Sequence, residues 1–183
     1  MGTRWISRGC CHVYGADVVH DNGLIDFGVV RARETDAAIL KPLLLKPMDD
    51  GFASRVKPND FLIAGQRFGS GKAHITAYIA MAALNMRVLC ESSFANVVMG
   101  AANVGLPILS QCEGVSAVLQ QGEEIEVDLL EGTVLRLSTG ETLRYPPLPE
   151  DQRQIIELGG RKGILQKYLE EHPLMKTPLE TAS

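Results

Sequence analysis

The groups best suited to chemistry cluster in Phe61-Leu62-Ile63-Ala64-Gly65-Gln66-Arg67-Phe68-Gly69-Ser70-Gly71-Lys72-Ala73-His74. An apolar, strand-like run enters a glycine-spaced loop, and a helical pattern leaves it. The first N–H groups of a helix lack intrahelical acceptors and carry partial positive charge, so this layout suits an anion. Lys72 and His74 stand at the expected helix start. Cations there are unfavourable unless something negative joins them. A carboxylate or phosphate is the simplest such ligand. Ser70 reads as a hydroxyl that satisfies loop backbone groups.

Two nucleotide-binding templates fail on this loop. The P-loop pattern G-x-x-x-x-G-K-[ST] needs glycine where Gln66 stands and a hydroxyl where Ala73 stands. The pattern G-x-G-x-x-G needs glycine at His74.

The elements around the loop alternate. Phe61–Ala64, Arg87–Cys90 and Leu106–Leu109 read as strands. Between them, Ile75, Ile79, Ala82 and Ala83 predict one helical face and Phe94, Val97, Val98 and Ala101 a second. Strand–helix–strand–helix–strand with short links implies a parallel sheet with right-handed crossovers. Upstream, Trp5–Tyr14 reads as a strand or hairpin arm and Ala16–Asp26 as a loop with an Asn22-Gly23 turn. Thr35 is the expected N-cap of a short helix carrying Ile39, Leu40 and Leu43, interrupted at Pro42. Downstream, Ile125, Val127 and Leu129 alternate with polar residues, and turns at Glu131-Gly132 and Thr139-Gly140 complete an antiparallel meander. Pro146, Pro147 and Pro149 form a stiff connector to two helical pieces divided at Gly159-Gly160. The expected organisation is α/β: one domain over 1–173, with a parallel core flanked by helices and an antiparallel β layer. Residues 174–183 are expected to form a flexible tail.

Bulk properties exclude some classes. The net charge of −4 offers no global basic field for nucleic acid. No apolar stretch reaches the roughly 20 residues needed to span a bilayer, and Met-Gly-Thr-Arg-Trp lacks a signal core. A cytoplasmic protein is expected. Cys10, Cys11, Cys90 and Cys112 show no zinc spacing and read as reduced, buried thiols. Glu91 follows a strand end, where it caps the next helix or faces a ligand. His12, His20 and His172 attract no functional role, and Glu123–Glu126 reads as a solvated strand edge.

Several segments together resemble the small subunit of 3-isopropylmalate dehydratase, of the aconitase superfamily. They are Phe68-Gly69-Ser70-Gly71, Glu91-Ser92-Ser93-Phe94-Ala95 and Gly105-Leu106-Pro107-Ile108-Leu109, in order after successive strands. Phe52–Pro58, Gly122–Asp128, Gly132-Thr133-Val134 and Gly163–Leu169 extend the resemblance over roughly Asp49 to Leu169. Ile25-Asp26-Phe27 through Arg33 resembles the family's I-D-T-D…I-P-A-R loop only loosely. The resemblance implies a swivelling β/β/α domain. It also implies a separate large subunit carrying a [4Fe-4S] cluster, over which the loop closes on a di- or tricarboxylate. Dehydration and rehydration then proceed by proton abstraction beside a carboxylate.

The resemblance breaks inside the loop. The family's loop reads G-x-G-S-S-R-E-H-A, with the first serine as base and the arginine gripping a carboxylate. Here Lys72, Ala73 and His74 stand at the serine, serine and arginine positions. Three readings follow. Lys72 or His74 takes over proton transfer; a lysine in a closed site or a histidine suits that task. Alternatively the chain serves a different small acid, gripped by Arg67, Arg31 and Arg33 beside Gly69, Ser70 and Gly71. Or the chain is a carboxylate-binding or regulatory paralogue that has lost the chemistry.

Overall fold

The computed structural model describes residues 5–172. The expected tail, 174–183, lies outside the described residues. The strands are β1 (Ile6–Val13), β2 (Phe61–Ala64), β3 (Arg87–Cys90), β4 (Ile108–Leu109), β5 (Glu124–Asp128), β6 (Thr133–Arg136) and β7 (Thr142–Arg144). The helices are α1 (Phe27–Arg31), α2 (Ala37–Leu40), α3 (Phe52–Arg55), α4 (Thr76–Ala83), α5 (Ala95–Ala102), α6 (Val115–Val118), α7 (Glu150–Glu157) and α8 (Gly160–Glu171).

One seven-stranded sheet runs in the order β4-β3-β2-β1-β5-β6-β7. β1 to β4 pair in parallel, with Cys11 opposite Phe61, Phe61 opposite Arg87 and Val88 opposite Ile108. β5 then pairs antiparallel with β1, and β6 and β7 continue the meander. β1 is therefore the joint between the parallel core and the antiparallel part. All four residues of β2 and of β3 are buried, as strands covered on both faces must be. Leu62, Ala64, Val88 and Cys90 pack under α2, α4 and α5. Phe61, Ile63 and Leu89 share the other core with Ile125, Val127 and Val134 of the meander. The sheet must curl for its antiparallel part to cover its parallel part. The expected α/β architecture, a helix-flanked parallel core with an antiparallel layer, is present.

Local expectations shift in four places. α4 buries Ala77, Tyr78, Ala80 and Met81, while Ile75 is its exposed N-cap. Its sequence, Thr-Ala-Tyr-Ile-Ala-Met-Ala-Ala, is apolar nearly all round, so spacing could not choose the face. In α5, Val97, Val98 and Ala101 are buried as expected, but Phe94 is exposed ahead of the helix. The cap of α2 is Asp36, whose carboxylate accepts from the Ala38 N–H at 2.8 Å, not Thr35; Ile39 is exposed. The third parallel strand narrows to Ile108–Leu109. Cys11, Cys90 and Cys112 are buried free thiols, and Cys10 is half-buried. Among the described residues no helix is long and apolar enough to cross a membrane.

Candidate functional site at the carboxyl ends of the parallel strands

The loop after β2 is stitched in place on two sides. On one side the segment before α1 runs alongside it. Asp17 N–H donates to the Gln66 carbonyl (2.9 Å), Gly69 N–H to the Val18 carbonyl (2.8 Å) and His20 N–H to the Ser70 carbonyl (3.0 Å). On the other side lies the loop after β3. Phe68 N–H donates to the Ser92 carbonyl and Arg67 N–H to the Ser92 hydroxyl, both at 3.0 Å. Ser93 Oγ donates to the Phe68 carbonyl at 2.8 Å. Phe68 is fully buried and anchors the bend. Gly69 has φ +72°, and a Cβ there would stand 2.7 Å from Val97 Cγ1. Only glycine suits both the left-handed backbone and the packing.

Beyond Gly69 the loop opens. Gly71 and Lys72 are exposed. Among the described residues, the N–H groups of residues 71–75 have no protein acceptor. α4 begins only at Thr76 and has no side-chain cap. Lys72 and His74 therefore lie in the loop ahead of the helix rather than in its first turn, and Lys72 is not enclosed. Free amides, an uncapped helix and a solvated lysine are the elements of an anion site.

Two of the neighbouring basic side chains already stand beside carboxylates. Arg67 grips Asp17 in a bidentate pair, Nε to Oδ1 at 2.6 Å and Nη2 to Oδ2 at 2.5 Å. The guanidinium holds the Asp17 carboxyl below its usual range. As a grip for a second carboxylate, Arg67 would have to leave that partner. His74 Nε2 lies 3.5 Å from Asp21 Oδ1. That distance is ion-pair range without hydrogen-bond geometry, since both atoms are buried and make no hydrogen bond. Lys72 has no ion pair among the described residues. Ser70 is half-buried; its backbone is bonded to Arg67 and His20, and among the described residues its hydroxyl makes no hydrogen bond to the loop backbone. Arg31 ends α1 and Arg33 follows it; both are exposed, and no hydrogen bond or ion pair among the described residues ties either to the loop.

The structure adds residues that the sequence reading passed over. His20 is buried, with Nε2 2.5 Å from the hydroxyl of buried Tyr78. Its ring stands edge-on to His74, centroids 6.4 Å apart. Burial, then the nearby His74, pulls its pKa down to about 4 against an upward pull from Asp21. Burial raises the Tyr78 hydroxyl. His20 sits between Val18-Val19 and Leu24-Ile25, an apolar context that marks a buried histidine. Nothing in that context points to a partner 58 residues away.

Beside the loop, the ends of β2, β3 and β7 enclose a cleft of about 730 Å³, lined by Gln66, Glu91, Ser92, Gln111, Arg144 and Tyr145 among others. Clefts at the carboxyl ends of parallel strands are the usual ligand positions in open α/β sheets. Glu91 accepts from Ser116 Oγ at 2.6 Å and does not cap α5, whose N-cap is Phe94. Among the described residues no three His, Cys, Asp or Glu side chains come together as metal ligands.

No model of a known protein family matches the chain. Individual relatives do. The 3-isopropylmalate dehydratase small subunit of Caldicellulosiruptor saccharolyticus is 35% identical over 170 residues, 88% of this chain and 94% of that one. That of Pyrobaculum calidifontis is 39% identical over 127 residues, 69% of this chain and 78% of that one. The isopropylmalate/citramalate isomerase small subunit of Methanocaldococcus jannaschii is 34% identical over 133 residues, 72% and 79% of the two chains. A crystal structure of 3-isopropylmalate dehydratase from Methanocaldococcus jannaschii superposes with a TM-score of 0.79 at 27% identity, covering 93% of this chain and 99% of that one. By sequence and by fold, the chain belongs to the family of 3-isopropylmalate dehydratase small subunits.

Proposed function

We propose that this chain is the small subunit of a cytoplasmic hydro-lyase that dehydrates and rehydrates a small hydroxy di- or tricarboxylic acid. Its partner is a large subunit carrying a [4Fe-4S] cluster, and the loop from Arg67 to His74 closes over the acid there. The cluster supplies Lewis-acid chemistry at the substrate hydroxyl; this chain supplies binding and proton transfer. The free amides of residues 71–75, with Gly69 and Gly71 shaping the bend, receive a carboxylate. Lys72 and His74 are the candidates for proton transfer, and Ser70 supports the loop. Arg67, once released from Asp17, and the exposed Arg31 and Arg33 are the candidates for further carboxylate contacts. Lys72, Ala73 and His74 replace the serine–serine–arginine equipment, so the acid–base groups differ from those of the resemblance.

The observation that carries this reading is the open, amide-lined bend at the end of β2, in a chain of this family. Fold alone does not assign chemistry, so the test is reconstitution. Co-expression with a large subunit bearing three cluster-type cysteines is expected to yield a brown, oxygen-sensitive complex. That complex consumes an unsaturated dicarboxylate, read as loss of alkene absorbance. A stable complex that binds dicarboxylates without turnover would instead make the chain a binding paralogue.

A further inference from the structure

Lys72 and His74 compete for the proton-transfer role, and their surroundings differ. Lys72 is solvated. His74 stands beside a carboxylate: Nε2 and Asp21 Oδ1 lie 3.5 Å apart, both shut off from solvent and neither hydrogen-bonded to any protein atom. Nδ1 makes no hydrogen bond with the protein and, unlike Nε2, is not fully shut off from solvent. A carboxylate beside one ring nitrogen and no protein partner on the other is the arrangement of an oriented general base.

The turn that carries Asp21 is rigid. Leu24 N–H donates to the Val19 carbonyl at 2.8 Å and Asn22 N–H to the Ile25 carbonyl at 2.9 Å. A Cβ on Gly23 would collide with the Val19 carbonyl. His20, the preceding residue, lies edge-on to the His74 ring and is locked by Tyr78. Among the described residues, Asp21 and His20 of this turn stand near His74, with Tyr78 of α4 behind His20.

We propose that Asp21 and His20 are positioning residues that make His74 Nδ1 the proton-transfer atom of the site. This rests on the hydro-lyase reading above. The neutral ring keeps its proton on Nε2, toward Asp21, and offers the Nδ1 lone pair. In dehydration the C–H bond beside a substrate carboxylate breaks and its proton passes to Nδ1. Its electron pair becomes the second carbon–carbon bond as the hydroxyl leaves as hydroxide. The hydroxide then takes that proton and departs as water; hydration is the reverse. The Asp21 carboxylate offsets the imidazolium formed in between. His20, kept neutral by burial, adds no second positive charge beneath it. Lys72 and the free amides are left to hold the carboxylate.

The test uses Asp21→Asn, read on the full chain alone and on the assembled enzyme. An amide at this position offers a donor to Nε2 and switches the ring to its other tautomer. Nitrogen-resolved NMR of the chain alone is expected to find the His74 proton on Nε2 in the wild type and on Nδ1 in the variant. In the complex, kcat is expected to fall on the order of 10²- to 10⁴-fold, with KM changed less than about threefold. Asp21→Glu restores part of kcat. Asp21→Ala, which removes the carboxylate without adding a donor, serves as the second variant and also loses kcat. An active complex whose kcat is indifferent to Asp21→Asn and Asp21→Ala overturns the proposal, as does a wild-type ring protonated on Nδ1. A wild-type ring protonated on Nε2 in a complex with no hydro-lyase activity overturns the hydro-lyase reading and the proton-transfer role with it, while the Asp21-held tautomer stands.

Discussion

Burial removes His20 from water, and a charged ring there would also meet His74, so its folded pKa drops to about 4. The unfolded value lies near 6.5, so the unfolded chain takes up the proton first as pH falls. The contribution of the neutral ring is complete above about pH 6.5 and is lost as pH falls toward 4, amounting to about 3 kcal/mol across that window. His20→Gln keeps a polar partner for Tyr78 and removes the titration. Denaturant midpoints between pH 4 and 6.5 are expected to slope less steeply in the variant than in the wild type. Equal slopes would mean that His20 does not titrate under this constraint. At this same scale the sequence was partly legible. Lys72 and His74 announce themselves by standing beside glycines, and the structure keeps them in one loop. Arg67 looked like a free fork, but Asp17 lies across the chain in the segment that pairs with the loop. No local pattern records a contact made by such long-range pairing.

At the scale of elements, the loop depends on two different glycines. Gly69 and Gly71 both have positive φ, +72° and +99°. A Cβ at Gly71 meets nothing within 4 Å, whereas one at Gly69 runs into Val97 of α5. Alanine at either position pays about 1 kcal/mol for the left-handed backbone. At Gly69 it pays a further ~1–3 kcal/mol for overpacking. Gly69→Ala is therefore expected to lower stability more than Gly71→Ala in urea titration, and Val97→Ala combined with Gly69→Ala to recover part of the loss. Identical losses at both glycines would show that Val97 does not clamp the bend. Strands β2 and β3 could be read at their observed bounds because short apolar runs there are cut off by polar or glycine residues. The face of α4 could not be read, because a helix apolar all round is oriented by the sheet it meets rather than by its own pattern.

At the scale of the molecule, the parallel core was legible from alternation alone, and the meander from its period of two. Sequence patterning does not say that β1 joins them into one sheet, since strand neighbours are chosen by packing across the whole chain. That choice has a functional consequence. Placing β1 beside β2 carries the segment 17–21 alongside the loop 66–70, and so brings Asp17, His20 and Asp21 to the site. The fold thus assembles, at one edge of the parallel strands, an open bend with free amides, a solvated lysine and a carboxylate-backed histidine. That bend is the proposed share of this chain in an active site. Its most direct measurement is turnover of the assembled complex carrying Lys72→Ala together with His74→Ala. The expected result is a complex of unchanged composition whose kcat has fallen at least ~10²-fold. Unchanged turnover in that intact complex would contradict it.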